Sequence, residues 1–141
     1  MASSKVTHGK CLCGTVEIKA EGDFKACVAC SCKNCQICSG SAFTVNLAYP
    51  KGSITVTKGL DDLRKYEDKA TDSGKSVWRR FCGRCGSGIY SEIEDGTCFV
   101  KAPIVEGALD NQPVAHIFTR NLPGWAKDSK TGNQVENGPP S

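Results

Sequence analysis

Ten cysteines in a chain of 141 residues are the groups with most chemistry to offer, and they come at short spacings. Cys11-Leu-Cys13-Gly14 is CxC followed by glycine, and Cys82-Gly-Arg-Cys85-Gly86 is CxxC with a glycine after each cysteine. Glycine permits a tight turn that aims backbone N–H groups at a sulfur, the setting that stabilises a metal-bound thiolate. Two such turns supply four sulfurs, the complement of a tetrahedral structural zinc. The pairs lie about 70 residues apart, so the ion would tie the start of the chain to its middle and close a long loop.

The middle cluster, Cys27-Val-Ala-Cys30-Ser-Cys32-Lys-Asn-Cys35-Gln-Ile-Cys38, is different. Cys30, Cys32 and Cys35 form a compact CxCxxC on what reads as one short loop. Three thiolates can hold a second zinc with its fourth position open, as catalytic sites require. Cys27 or Cys38 as a fourth ligand would close that site and make it structural; free or redox-active cysteines are a third reading. An open site has bounded chemistry. Three thiolates leave about one net negative charge on a dication, so the metal is a weak activator of water. It is better suited to capturing a thiol and keeping it deprotonated near neutral pH. The matching reaction is attack of sulfur on a small electrophilic carbon.

The elements that must position these groups read as strands. Val16, Ile18 and Ala20 alternate with charged residues; Phe43, Val45 and Leu47 alternate with Thr44 and Asn46; Ile54 and Val56 alternate with small polar residues. Such period-two patterning predicts half-buried strands. Breakers at Gly22-Asp23, Pro50-Lys51-Gly52, Gly59 and Ser73-Gly74 separate them. Asp95-Gly96 predicts a hairpin between residues 88–93 and 97–101. Only Leu60–Lys69 offers a short helix, and it suits a strand equally. The pattern predicts many short antiparallel strands in a single domain over residues 1–126, with a polar tail or surface strap over 127–141.

Composition removes several classes. Hydrophobic residues are 39% and charged residues 23%, the balance of a globular chain and not of a disordered or fibrous one. No apolar run approaches the ~20 residues of a membrane helix, and Met1–Gly9 has no apolar stretch, so neither a membrane span nor a signal peptide is expected. Without an export signal the expected compartment is the reducing cytoplasm, where dense cysteines favour metal over disulfides. A net charge of +3 is too weak to point to nucleic acid.

Five segments, in order, resemble the glutathione-dependent formaldehyde-activating enzymes and the related centromere protein V. They are Gly9-Lys-Cys-Leu-Cys-Gly14, Cys30-Ser-Cys-Lys-Asn-Cys35, Ser39-Gly-Ser-Ala-Phe43, Arg80-Phe-Cys-Gly-Arg-Cys-Gly-Ser87 and Ala115-His-Ile-Phe-Thr-Arg120 with Trp125. The resemblance spans roughly Gly9 to Trp125. It implies a mainly β fold of stacked antiparallel sheets, the β-tent type, stabilised by zinc. It implies two zinc ions per chain, a structural one on Cys11, Cys13, Cys82 and Cys85 and a catalytic one on Cys30, Cys32 and Cys35. The implied partners are glutathione, or a glutathione conjugate, and a small aldehyde. The implied reaction is reversible formation of S-(hydroxymethyl)glutathione, a carbon–sulfur lyase chemistry. Departures are Ser31 where a histidine is frequent, Gln36-Ile37 where a basic pair is frequent, and the additional Cys27, Cys38 and Cys98. The absence of basic residues at Gln36-Ile37 motivates a second expectation, a larger glutathione conjugate as substrate. A third is a non-catalytic zinc-stabilised binding module, as centromere protein V suggests, with two closed four-cysteine sites.

Further residues carry two meanings each. His116, in the apolar run Val114–Phe118, is either a hydrogen-bonded core residue or a catalytic group moving a proton at the adduct oxygen. Arg120 is a surface cation or a bidentate clamp for a peptide carboxylate. Arg80, in Trp78-Arg79-Arg80, is a solvated residue or a contact for the same carboxylate. Backbone N–H groups at Ser39-Gly40-Ser41 form a plain turn or orient a thiolate or substrate carboxyl. Phe43 and Trp125 are core aromatics or pocket walls. Oligomeric state has no signature in the sequence.

Overall fold

The computed structural model of the chain describes residues 5–129 and 132–138. The alternating segments form strands, in two stacked sheets. The smaller holds β1 (Val6–Lys10), β2 (Glu17–Glu21) and β5 (Ile54–Lys58) in the order β1-β2-β5. The larger also takes in β3 (Ala26–Cys30), β4 (Thr44–Tyr49), β6 (Leu63–Asp68), β7 (Val77–Cys82), β8 (Gly88–Glu92), β9 (Cys98–Lys101), β10 (Ala115–Ile117) and β11 (Asn133–Gln134). Its order is β11-β10-β3-β4-β9-β8-β7-β6. Pairing is antiparallel throughout except that β10 runs parallel to both β3 and β11. The strands are those the residue pattern predicts, and the mainly β, stacked-sheet architecture is the one the resemblance implies.

Alternation sends Val16, Ile18 and Ala20 of the β2 region against Cys27, Leu47, Tyr90 and Val100 of the large sheet, and all of them are buried. This is the hydrophobic layer that holds the sheets together. The hairpin at Asp95-Gly96 forms: Ile93 N–H donates to Thr97 O at 3.2 Å, and Gly96 takes φ 89°, a left-handed conformation glycine adopts without strain.

One ambiguous segment resolves, and one element differs from expectation. Leu60–Asp62 is a single 3-10 turn that runs into strand β6, so the ambiguous segment resolves mostly as strand. The α-helix lies instead inside the middle cysteine cluster: α1, Lys33–Ser39, occupies what the spacing presents as a loop. Cys32 is its N-cap, with ψ 153° and its Sγ accepting the Cys35 N–H at 3.2 Å. Gly40, at φ 64°, closes it by donating its N–H to Gln36 O. A cysteine sulfur thus does at this helix start what serine or aspartate oxygen ordinarily does.

α1 lies against the second face of the large sheet. That face is polar and covered: Thr44, Asn46, Asp68 and Ser91 are all buried. Asn34 of α1 donates to both carboxylate oxygens of Asp68, at 3.0 and 2.8 Å, which docks the helix on the strand. The described part of the polar C-terminal segment, residues 132–138, runs as a strap beside β10. It accepts hydrogen bonds from Phe118, Thr119 and Arg120 N–H at Asn137, Val135 and Glu136 O.

Candidate metal and thiol site

The two glycine-flanked turns meet. Cys11, Cys13, Cys82 and Cys85 have sulfurs that all lie within 4.8 Å of one another. The turns are built alike: Gly14 N–H donates to Cys11 O at 3.1 Å and Gly86 N–H to Cys82 O at 2.8 Å, with φ 77° and 79° at the glycines. Amides then reach the sulfurs, Val16 N–H to Cys11 Sγ at 3.3 Å and Arg84 N–H to Cys82 Sγ at 3.4 Å. The Ser87 hydroxyl, 3.2 Å from Cys85 Sγ, holds that thiol down to about 5, and the Thr15 hydroxyl lowers Cys13 in the same way. Hydroxyls and amides aimed at sulfur favour the thiolate that a metal requires.

The middle cluster brings together three sulfurs. Cys30, at the end of β3, Cys32, at the helix cap, and Cys35, in the first turn of α1, lie within 4.8 Å of one another. Cys30 and Cys35 sulfurs are 3.4 Å apart. Cys32 is held down to about 3 by hydrogen bonds from Cys30 first, then Cys35, with the Arg79 charge adding to it. Cys30 is pushed up, because it shares its bonds with Cys32 and Cys35 and is buried. Cys27, two positions from Ala29 on β3, faces the opposite side of the sheet in the hydrophobic layer, and Cys38 is exposed on α1. Among the described residues no fourth histidine, cysteine or carboxylate joins the trio. Cys98 is buried in the hydrophobic layer.

His116 lies beneath the trio. Its Nε2 is 2.7 Å from Ser31 Oγ, both residues are fully buried, and the Phe43 ring packs edge-on at 5.2 Å. Ser31 stands between Cys30 and Cys32, and its N–H donates to Ile117 O at 3.0 Å. The histidine therefore reaches the trio through Ser31 and exposes no atom to a ligand. Ser31→Ala strips a hydrogen bond from a buried ring nitrogen and should cost ~1–3 kcal/mol. A lowered urea midpoint at unchanged m-value measures it.

The predicted peptide contacts scatter. Arg80 points to the hydrophobic-layer side of β7, with an ion pair to Glu92 at 2.8 Å and its guanidinium 5.9 Å from the Tyr90 ring centre. Its neighbour Arg79 takes the trio's side instead, paired with Asp68 at 2.8 Å, and its charge acts on Cys32. Arg120 is exposed, stacked 5.7 Å from the Phe118 ring centre and hydrogen-bonded to Asn137 of the strap. The Gly40 and Ser41 N–H groups are both spent on Gln36 O, capping α1, and Ser39 is exposed beside them. Gly40, Lys33, Gln36, Asn121 and Trp125 line an open cavity of about 630 Å³ on the flank of α1. The Trp125 side chain is 83% exposed at its rim. Lys101 of β9 is a group that sequence reasoning passed over: its Nζ reaches Thr44 Oγ1 at 3.4 Å, next to the trio. No helix among the described residues is long and apolar enough to cross a membrane.

The fold and the cysteine pattern both have counterparts among known proteins. A crystal structure of a Rhodobacter sphaeroides protein superposes with a TM-score of 0.58 over 71% of this chain and 88% of that one, at 23% identity. At that identity the likeness is one of fold. Residues 6–121 match the family described as glutathione-dependent formaldehyde-activating enzyme, a match that takes in both cysteine clusters, Ser31, His116 and Arg120, and the chain belongs to that family.

Proposed function

We propose that the protein is a zinc-dependent carbon–sulfur lyase that makes and breaks glutathione adducts of an aldehyde, with S-(hydroxymethyl)glutathione as the leading example. Membership of a family named for glutathione and formaldehyde supports the substrates. The observation that carries the mechanism is the inequality of the two cysteine clusters: one gathers four sulfurs, the other three with no fourth donor beside them.

Both clusters fit zinc. Tetrahedral zinc–thiolate bonds of ~2.3 Å set sulfur–sulfur edges of about 3.8 Å. The edges here are 3.6 Å for Cys11–Cys13, 3.9 Å for Cys13–Cys82 and 3.4 Å for Cys30–Cys35. We assign Cys11, Cys13, Cys82 and Cys85 to a structural ion and Cys30, Cys32 and Cys35 to the catalytic one. At the trio a zinc ion would supply one thing, a fourth position that keeps the substrate thiol deprotonated near neutral pH.

The chain's own residues do the rest. Cys30, Cys32 and Cys35, fixed by β3 and by the α1 cap, would hold the ion, and through it would keep the thiol sulfur in one place. Ser31 and His116 brace the Cys30–Cys32 turn from below, so His116 acts as a positioning residue. The sulfur forms its bond to the aldehyde carbon, the carbonyl π pair moves to oxygen, and the proton released by the thiol is returned there. The product is the hydroxymethyl thioether, and the reverse path restores thiol and aldehyde. The seven cysteines require a reducing setting, which favours the cytoplasm. A binding module with two closed sites is disfavoured by Cys27 and Cys38 lying outside the trio.

A second reading, cleavage of a bulkier glutathione conjugate, is favoured by the cavity of about 630 Å³ beside α1 and the exposed Trp125 at its rim. The test is ¹³C NMR of labelled formaldehyde with glutathione, with and without protein. Adduct exchange faster than the uncatalysed background is expected for the first reading. Background exchange with formaldehyde together with turnover of an aromatic conjugate would favour the second.

A further inference from the structure

Lysines are seldom buried unless an anion compensates them. Lys101 is half-buried at the end of β9, and its stem crosses Gly88, whose notional Cβ would lie 3.6 Å from Lys101 Cε and Cγ. Among the described residues no carboxylate pairs with it; its hydrogen bond is to Thr44 Oγ1 at 3.4 Å. Thr44 is the cross-strand partner of Cys30, so the ammonium sits one side chain away from the trio. The Arg79 cation on that face is committed. Arg79 is bound through Nε and Nη2 to Asp68, at 2.9 and 2.8 Å, with both side chains largely buried. Thr44 and Asn46 of β4 lie beside Lys101, and the charges that act on it come from the sulfurs of Cys35, Cys38 and Cys30 and from the Arg79 guanidinium. The anionic candidates in that set are all sulfur.

From this arrangement we infer that Lys101 is the counter-cation of the metal–thiolate centre formed by Cys30, Cys32 and Cys35, and that it sets the affinity of that centre for an incoming thiolate. The inference rests on the reading of the trio as a metal site open to a substrate thiol. Three thiolates around a dication carry one net negative charge, and a fourth raises it to two. Taking that second charge into a partly desolvated site is unfavourable unless a fixed cation stands beside it. The four-cysteine centre never admits a further anion. The cations beside it are exposed: Arg84 pairs with Asp62 at 3.0 Å, and Lys58 donates to Gly14 O at 3.2 Å. Among the described residues, a half-buried cation with no carboxylate partner thus stands at the cluster with three sulfurs and not at the one with four.

The test compares Lys101→Met, Lys101→Gln and Lys101→Arg with the parent chain, all loaded with zinc and checked for fold by circular dichroism. Two quantities are read: retention of the second zinc against a chelator, and glutathione affinity by calorimetry, with S-methylglutathione as a control lacking the thiol. Both neutral variants should weaken zinc retention and glutathione binding by about tenfold or more, and Lys101→Arg should restore most of each. Unchanged values in the neutral variants, or equal losses in Lys101→Arg, would overturn the inference. Equal loss of S-methylglutathione binding would also overturn it, since Lys101 would then be holding a peptide carboxylate. If the parent chain binds zinc but no glutathione, the catalytic reading fails; the effect on zinc retention still decides the role of Lys101.

Discussion

Cys32→Ser should abolish adduct formation above background while leaving the fold in place. The position makes this an unusually clean change. Cys32 is the N-cap of α1, accepting the Cys35 N–H at 3.2 Å. Serine is among the favoured N-caps, so its hydroxyl can take over that bond and the helix start survives. The residue is only half-buried and belongs to no sheet, so no cavity opens in the hydrophobic layer. What is lost is a soft anionic donor from a three-sulfur set. Weakening the outer partners of a metal ligand already costs about 10–100-fold, so loss of a ligand should exceed about 100-fold in kcat. The expected signature is one zinc fewer per chain, an unaltered thermal transition and no exchange beyond the uncatalysed rate. Full activity in this variant would mean that the trio does not carry the chemistry.

Cys82→Ser should have the opposite character, loss of the fold itself. Cys82 is fully buried at the end of β7, where its turn meets the Cys11–Cys13 turn that links the small sheet's first two strands. The four-sulfur centre therefore ties the small sheet to the large one. Structural zinc sites have apparent binding free energies of ~10–16 kcal/mol, as large as the whole stability of a domain at ~5–15 kcal/mol. Serine here leaves a hydroxyl buried among three thiolates, with no tetrahedral set to complete. The variant should lose its cooperative melt and its β-sheet circular dichroism, and a strong chelator should do the same to the parent chain. A variant that melts like the parent with one zinc fewer would remove the structural role.

How much of this was legible beforehand follows from what each feature depends on. The four-cysteine centre depends on turns of three to five residues, and glycine placement after cysteine specifies those directly. The strands depend on period-two alternation, which Val16, Ile18 and Ala20 display plainly. α1 was missed because seven residues are too few for helical periodicity to show, and because its cap is a cysteine. Arg79, Asn46 and Lys101 were passed over because polar residues alternating with apolar ones read as solvent-facing. α1 covers that second face, and nothing local in β4, β7 or β9 announces it. Arg79 and Arg80 differ by strand parity, so they point to opposite faces of β7. Phe118 at φ 56°, buried against Cys30 and Cys35, depends on the strap for its hydrogen-bond partner and has no local signal.

The central claim is that one of two zinc centres has room for a substrate sulfur. Zinc-edge X-ray absorption on the purified protein, with zinc counted per chain before and after adding glutathione, tests it most directly. The account predicts two zinc ions per chain and a rise in mean sulfur coordination when glutathione is added, absent in Cys32→Ser. Two ions already at four sulfurs each, unchanged by glutathione, would contradict it.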